Sequence, residues 1–265
     1  MLVLLPPSEG KAASGVGEPL DPAELSLPAL NPARERVLDA LVALCSGRDE
    51  AAALKALGLS QGLRGEVARN AGLRSAPALP AGRVYTGVLY DALGLPRLGR
   101  SAGELAQQSV LIFSGLWGAV HVGDRIPPYR CSMGAKLPTL GSLGAHWRAA
   151  MAEVLPGAAG DGLVVDLRSA AYAAVWRPTG EVASRTAAVR VLHERVIAGV
   201  VKRSVVSHFN KATKGRLVRD LLQAGGEPRS PAELLTALRD LKYTVEERPA
   251  AAGGPRQLDV VVAEL

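Results

Sequence analysis

A chain of 265 residues with 48% hydrophobic side chains can bury a sizeable core, and its length suits one large domain better than two full ones. A net charge of +6 leans toward polyanionic partners such as nucleic acid or nucleotides, although no block of lysine or arginine stands out. Two distant cysteines, Cys45 and Cys131, offer neither a disulfide framework nor a zinc motif, and reduced thiols in a cytoplasmic protein are the simplest account of them.

MLVLL at the start is too short for a signal peptide and runs straight into Pro6-Pro7; no apolar run approaches the ~18 residues of a membrane span. Leu2–Leu5 reads instead as a central strand entering PPSEGK, residues 6–11. A Pro/Gly turn ending in lysine makes an anion-binding corner through Ser8 and Lys11. It is not a Walker A loop, because Leu5 stands where the first glycine belongs and no Ser/Thr follows Lys11. Asn31-Pro32 marks a helix start, with Val37, Leu38, Leu41, Val42 and Cys45 on one face. Residues 53–73, within a subregion of about 49–73, read as two short helices joined at Gly58-Leu59-Ser60, with Arg64 and Arg69 on the second.

Val84–Gly87 reads as extended and is followed by a helix-like VLYDALG. Ser101 and Glu104 form the spacing of a capping box for a helix over 102–108. That helix leads to Val110–Phe113, a buried strand. Beyond it, glycines and Pro127-Pro128 predict a long ordered loop to Lys136, carrying Ser114, Trp117, His121, Asp124, Arg125, Tyr129, Arg130 and Lys136. Ser142 caps a further helix containing Leu143, Trp147, Met151 and Leu155. Leu163–Leu167 is an apolar strand whose Asp166 must be paired or face a site; Arg168, Ser169, Tyr172 and Trp176 follow. Residues 186–192 and 204–208 read as strands. A helix over 208–222 bears Lys211, Lys214, Arg216 and Arg219 early, where cations oppose the macrodipole unless an anion is bound. Ser230-Pro231-x-Glu233 starts another helix, through Leu241, and 242–248 with 257–264 form a closing hairpin.

Six stretches together resemble the YaaA family, known as peroxide stress protein YaaA and as UPF0246 or DUF328. They are MLVLLPPSEGK, VYTG at 84–87, SGLWG at 114–118, D-x-x-x-PYR-x-x-MG from Asp124 to Gly134, DLRS-x-x-Y from Asp166 to Tyr172, and FNKATKGRLVRDLL at 209–222. The resemblance covers the whole chain. It implies an α/β fold in a single domain over 1–265, with a mixed β-sheet core flanked by helices and a helix-hairpin-helix-like element. It also implies a cytosolic bacterial protein that protects against hydrogen peroxide by limiting iron-dependent damage and binds double-stranded or branched DNA, without sequence preference, through a basic cleft. Two departures stand out: AVHVG at 119–123 replaces an Arg-Pro pair carried by many members, and Asp166 stands where an asparagine is common. An aspartate there needs Arg168 or Arg130 as partner.

DNA-associated protection against peroxide is the primary expectation, and an enzyme is the alternative. DNA binding would use Ser8, Lys11, Ser114, Trp117, Arg130, Lys136, Ser169, Lys211, Lys214 and Arg216 as phosphate-binding groups. An enzyme acting on a nucleotide, nucleobase or other anionic small molecule would use a cleft of Lys11, Arg130 and Asp166. Its catalytic candidates are Asp124, Tyr129, Arg130 and Asp166, a mixture of groups that backbone binding alone does not require. The expectation from strand order is that Ser8, Lys11, the Asp124–Arg130 loop, Asp166 and Lys211 meet at one sheet edge. Four scattered histidines (among them His121 and His208) form no iron-binding pair, so no metal site, and no cofactor, is expected.

Overall fold

The computed structural model describes residues 1–197, 200–249 and 253–263. The first part of the chain comprises β1 (Leu2–Leu5), α1 (Asn31–Ser46), α2 (Glu50–Leu57), α3 (Gly65–Ala71), β2 (Leu79–Pro80), α4 (Ala81–Val84), α5 (Val88–Leu93) and α6 (Arg100–Ser109). Next come β3 (Val110–Ser114), β4 (Gly118–His121), β5 (Arg125–Ile126), β6 (Lys136–Leu137), β7 (Gly141–Ser142), α7 (Leu143–Ala158), β8 (Val164–Asp166), α8 (Ala170–Ala173) and α9 (Gly180–Ser184). The last part holds β9 (Thr186–Ile197), β10 (Val200–Ser204), α10 (Ser207–Ala224), α11 (Pro231–Asp240), β11 (Thr244–Arg248) and β12 (Arg256–Ala263).

The main sheet runs β11-β12-β9-β8-β1-β3-β4, with β10 on the far half of β9. Strands β12, β9, β8, β1 and β3 are parallel, whereas β4, β10 and β11 pair antiparallel to β3, β9 and β12. This is a mixed α/β sheet flanked by helices. Every residue of β1 and β3 is buried, which explains why LVLL and VLIF read as unbroken apolar runs: a parallel centre covered on both faces leaves no polar side to alternate with. One hydrophobic cluster extends from Leu2 to Val260.

The run after β3 is more ordered than a loop. Ser114 Oγ accepts from the amides of Leu116 and Trp117, Gly118 takes φ 73°, and β4 then pairs back along β3. Hydroxyl turn chemistry and a left-handed glycine thus make a hairpin of what composition presents as irregular chain. The strand expected at 204–208 is displaced: β10 ends at Ser204 and α10 has begun at Ser207, the valines at 200 and 201 being the ones that pair across β9. Val84 ends α4, so the extended stretch begins only at Tyr85.

Caps differ as well. Asn31 is already helical and uses its amide on Pro22 O and Arg34, while α6 starts at Arg100 behind Gly99, without a side-chain cap. Ser142 holds the N-cap position of α7 but makes no capping bond. At α11 the box forms: Ser230 Oγ accepts from Glu233 N, and the Glu233 carboxylate accepts from Arg229 N. The hairpin of β11 and β12 closes the sheet with Val245 opposite Val260.

Candidate functional site at the strand carboxyl ends

Because β1, β3 and β8 are parallel neighbours, the segments that leave them emerge along one edge, where α/β proteins hold ligands. PPSEGK leaves β1 and is zipped to VYTG. Ala12 N donates to Val84 O, Thr86 N donates to Gly10 O, and Lys11 bridges to Tyr85. Ser8 is half-buried, and a Cβ on Gly87 would come within 3.1 Å of its hydroxyl. PYR is pinned from outside by α3: the Asn70 side chain donates to Arg130 O at 2.7 Å and accepts from Arg130 N at 2.9 Å.

At the centre stands a buried chain of hydroxyls. Tyr129 Oη lies 2.6 Å from Ser114 Oγ and 2.9 Å from Tyr85 Oη. Tyr90 donates to Pro6 O, and its ring stacks on Tyr85 with centroids 5.5 Å apart. Tyr172, also buried, meets the backbone of Met133. Four of the chain's five tyrosines therefore surround this edge, in a sequence otherwise poor in aromatics. Burial raises the pKa of all four; for Tyr85 it reaches about 12. They are neutral hydroxyls at physiological pH.

Lys11 lies over this tyrosine wall. Its ammonium is 4.5 Å from the Tyr129 ring centroid and 5.5 Å from that of Tyr85, and it donates to Ser8 O at 2.8 Å. Desolvation lowers its pKa to about 8, with Glu9 opposing the shift and the neighbouring Arg130 adding to it. Arg130 donates to Glu9 O and pairs with the Glu9 carboxylate at 3.0 Å. The buried Cys131 thiol beside them is pushed up to about 12 by desolvation, which makes it a poor nucleophile.

Asp166 belongs to an adjoining cluster. It takes both forks of Arg168, at 2.8 and 2.6 Å, and Arg168 is fully buried against the rings of Phe113 and Trp176 while donating to Tyr172 O and Trp176 O. Arg168, rather than Arg130, is thus the partner this aspartate requires. The cation beside Asp166 is Lys214, which donates to Leu167 O at 2.7 Å and is lowered by burial to about 8; Lys211 is exposed. Lys11 and Arg130 form one group, Asp166 with Arg168 and Lys214 another, and Tyr172 joins them.

Other candidates are placed elsewhere. Asp124 holds the loop together, accepting from Ser26 N, Ser26 Oγ and His121 N. Trp117 is buried, its carbonyl accepting from the buried Arg34. Ser169 and Arg216 are exposed, and Arg216 donates to Thr213 Oγ1. Lys136 lies with Lys55, Gly58, Ser132 and Gly134 along a separate open groove of about 550 Å³, where the end of α2 meets β6. Glu9, Tyr85, Tyr90 and Lys55 escape a reading of the sequence for charge and motif; Glu9 and Tyr85 lie within the shared stretches PPSEGK and VYTG, which is the signal that points to them.

Fold and edge define an α/β protein with desolvated cations and a tyrosine wall at the carboxyl ends of a mixed sheet. The chain belongs to the family described as peroxide stress protein YaaA, whose model matches residues 1–248. The UPF0246 protein SCO2297 of Streptomyces coelicolor is 66% identical over 266 residues, covering 100% of both chains. The UPF0246 protein CE1889 of Corynebacterium efficiens is 41% identical over 250 residues, 93% of this chain and 95% of its own. An uncharacterized protein of Campylobacter jejuni, Cj0984, is 28% identical over 63% of this chain. The family description supports a role in peroxide stress. Among the described residues no helix is long and apolar enough to cross a membrane, and no three His, Cys, Asp or Glu side chains are grouped as metal ligands.

Proposed function

We propose that this protein acts in the cytoplasm during peroxide stress by binding duplex or branched DNA, and that shielding the duplex limits iron-dependent damage to it. The observation that carries this reading is the open groove between α2, with the Gly58 that ends it, and residues 132–136. It is lined by exposed Lys55 and Lys136, neither of which has a carboxylate partner among the described residues. Helices α2 and α3, joined through left-handed Gly58 and a short 3-10 turn, are the helix-hairpin-helix-like element of this proposal. Exposed Arg64 on the same connection and the +6 balance extend the positive field. Groups of this kind neutralise phosphates and carry no base information.

Titration with duplex DNA across a salt series tests the proposal. Log affinity should fall linearly with log salt, and Lys55→Glu with Lys136→Glu should weaken binding to all sequences alike and cut the slope by about two. A salt-insensitive interaction, or none at low salt, would defeat it.

A second reading has its own support. The desolvated Lys11, set against tyrosine rings beside Arg130, suits an enzyme site for a small anionic molecule. A surface that only follows a phosphate backbone has no use for an amine held in this way.

A further inference from the structure

We propose that Lys11 is a carbonyl-reactive amine that forms an imine with small 2-oxo acids, whose carboxylate is held by Arg130 in place of Glu9. The proposal rests on the second reading above, that this edge accepts a small anion, and it adds the reaction and the substrate class.

Three observations carry it. Among the described residues the Lys11 amine has one hydrogen bond, to Ser8 O, and no carboxylate salt bridge; around it lie two aromatic faces, the Arg130 guanidinium and the charge of Glu9, the acid that pairs with Arg130. Desolvation is what makes a lysine a nucleophile near neutral pH, and it brings this pKa down to about 8 against the opposing charge of Glu9, with the Arg130 cation adding to the shift. Arg130, by contrast, already grips a carboxylate. The Glu9 side chain that provides it is 60% exposed, against 23% for Arg130, so the acid can swing into water while the guanidinium stays in place. Glu9 then stands in for the carboxylate of a ligand, and the planar fork suits such a group. Lastly, the pair sits where β1 and β3 end, on backbone pinned by VYTG and by Asn70.

A compound that fits both groups carries a carboxylate beside a carbonyl. The neutral amine attacks the carbonyl carbon; a C–N bond forms as the carbonyl π pair moves to oxygen, which takes a proton from water. The nitrogen gives one proton to solvent, which leaves a carbinolamine; its hydroxyl takes a second proton from solvent and departs as water as the nitrogen lone pair forms the C=N bond, and loss of the remaining N–H proton to solvent leaves the imine. No oxidant or reductant is consumed.

The test uses the full chain with glyoxylate at pH 8, sodium cyanoborohydride as the trap, and peptide mass mapping of the adduct. Trapping is expected at Lys11 ahead of exposed Lys55, Lys136, Lys202 and Lys211, and ahead of Lys214, whose pKa is equally low but whose neighbour is Asp166. Glu9→Gln should speed trapping by freeing Arg130. Arg130→Met should lower the preference for glyoxylate over neutral propionaldehyde by about tenfold, the equivalent of one hydrogen bond to a charged group. Adducts spread over the lysines in proportion to exposure, or unchanged rates in Glu9→Gln, would overturn the proposal. Glyoxylate seen to bind by calorimetry without a trapped adduct would sink the imine and leave the anion site standing; no heat and no adduct would remove both. Mapping on the unaltered chain keeps the test valid if a variant fails to fold.

Discussion

Ser114 shows how much one hydroxyl can organise. Its oxygen accepts two backbone amides that turn the chain into β4, and it meets the Tyr129 hydroxyl, which meets Tyr85. Ser114→Ala would leave these groups unpaired in a dry interior, at a cost of about 1–3 kcal/mol, readable in chemical denaturation. Asp166 and Arg168 make a sharper case. With the guanidinium fully buried, Asp166→Ala strands a charge and should destabilise by roughly 3–5 kcal/mol. Asp166→Asn strands the same charge but keeps an acceptor and should lose less. Equal losses in the two variants, measured by urea unfolding, would show that Arg168 requires the carboxylate's charge and not merely an acceptor oxygen.

Between elements, the contact of α10 with α5 depends on a glycine. A Cβ on Gly215 would lie 2.1 Å from Leu89 O and 2.9 Å from the Ala92 side chain, so the helices approach backbone to side. Gly215→Ala should force them apart and cost about 1–3 kcal/mol by thermal melting, despite alanine's better helix propensity. An unchanged or higher melting temperature would contradict this packing. The separation matters because α10 brings Lys214 to Leu167 O and α5 brings Tyr90 to Pro6 O. Helix packing thus sets the spacing of the candidate site from outside.

Across the whole molecule, the buried lysines and tyrosines shape the response to pH. Lys11 and Lys214 have folded pKa values near about 8, against 10.5 for an ordinary lysine. Below about 8 both states are protonated and the buried charges weigh fully against folding. From there to 10.5 the unfolded chain holds more protons, so stability rises with pH. The four tyrosines act oppositely. Their folded values lie above 10.0, so beyond that pH the unfolded chain ionises first and stability falls. Denaturation midpoints should therefore climb between about 8 and about 10 and drop above, and Lys11→Met should flatten the climb. A monotonic fall from pH 7 upward would show that the amines are solvated.

The sequence by itself determined the buried parallel strands at Leu2–Leu5, Val110–Phe113 and Leu163–Leu167, the Ser230 cap and the closing hairpin. Each of these is written in local pattern: unbroken apolar runs, a hydroxyl three residues before a glutamate, alternation around a glycine turn. The family, too, was legible, because six motifs keep their order along the chain. Tertiary structure alone decided which charges meet. Glu9 and Arg130 are 121 residues apart, and Asp166 and Lys214 are separated by a helix-and-strand excursion, so nothing in spacing pairs them. Lys211 and Lys214 look alike in sequence; only the rotation of α10 against α5 exposes one and desolvates the other. Desolvation is a property of three-dimensional surroundings, which is why the low pKa of Lys11, and the chemistry drawn from it, had to come from the fold.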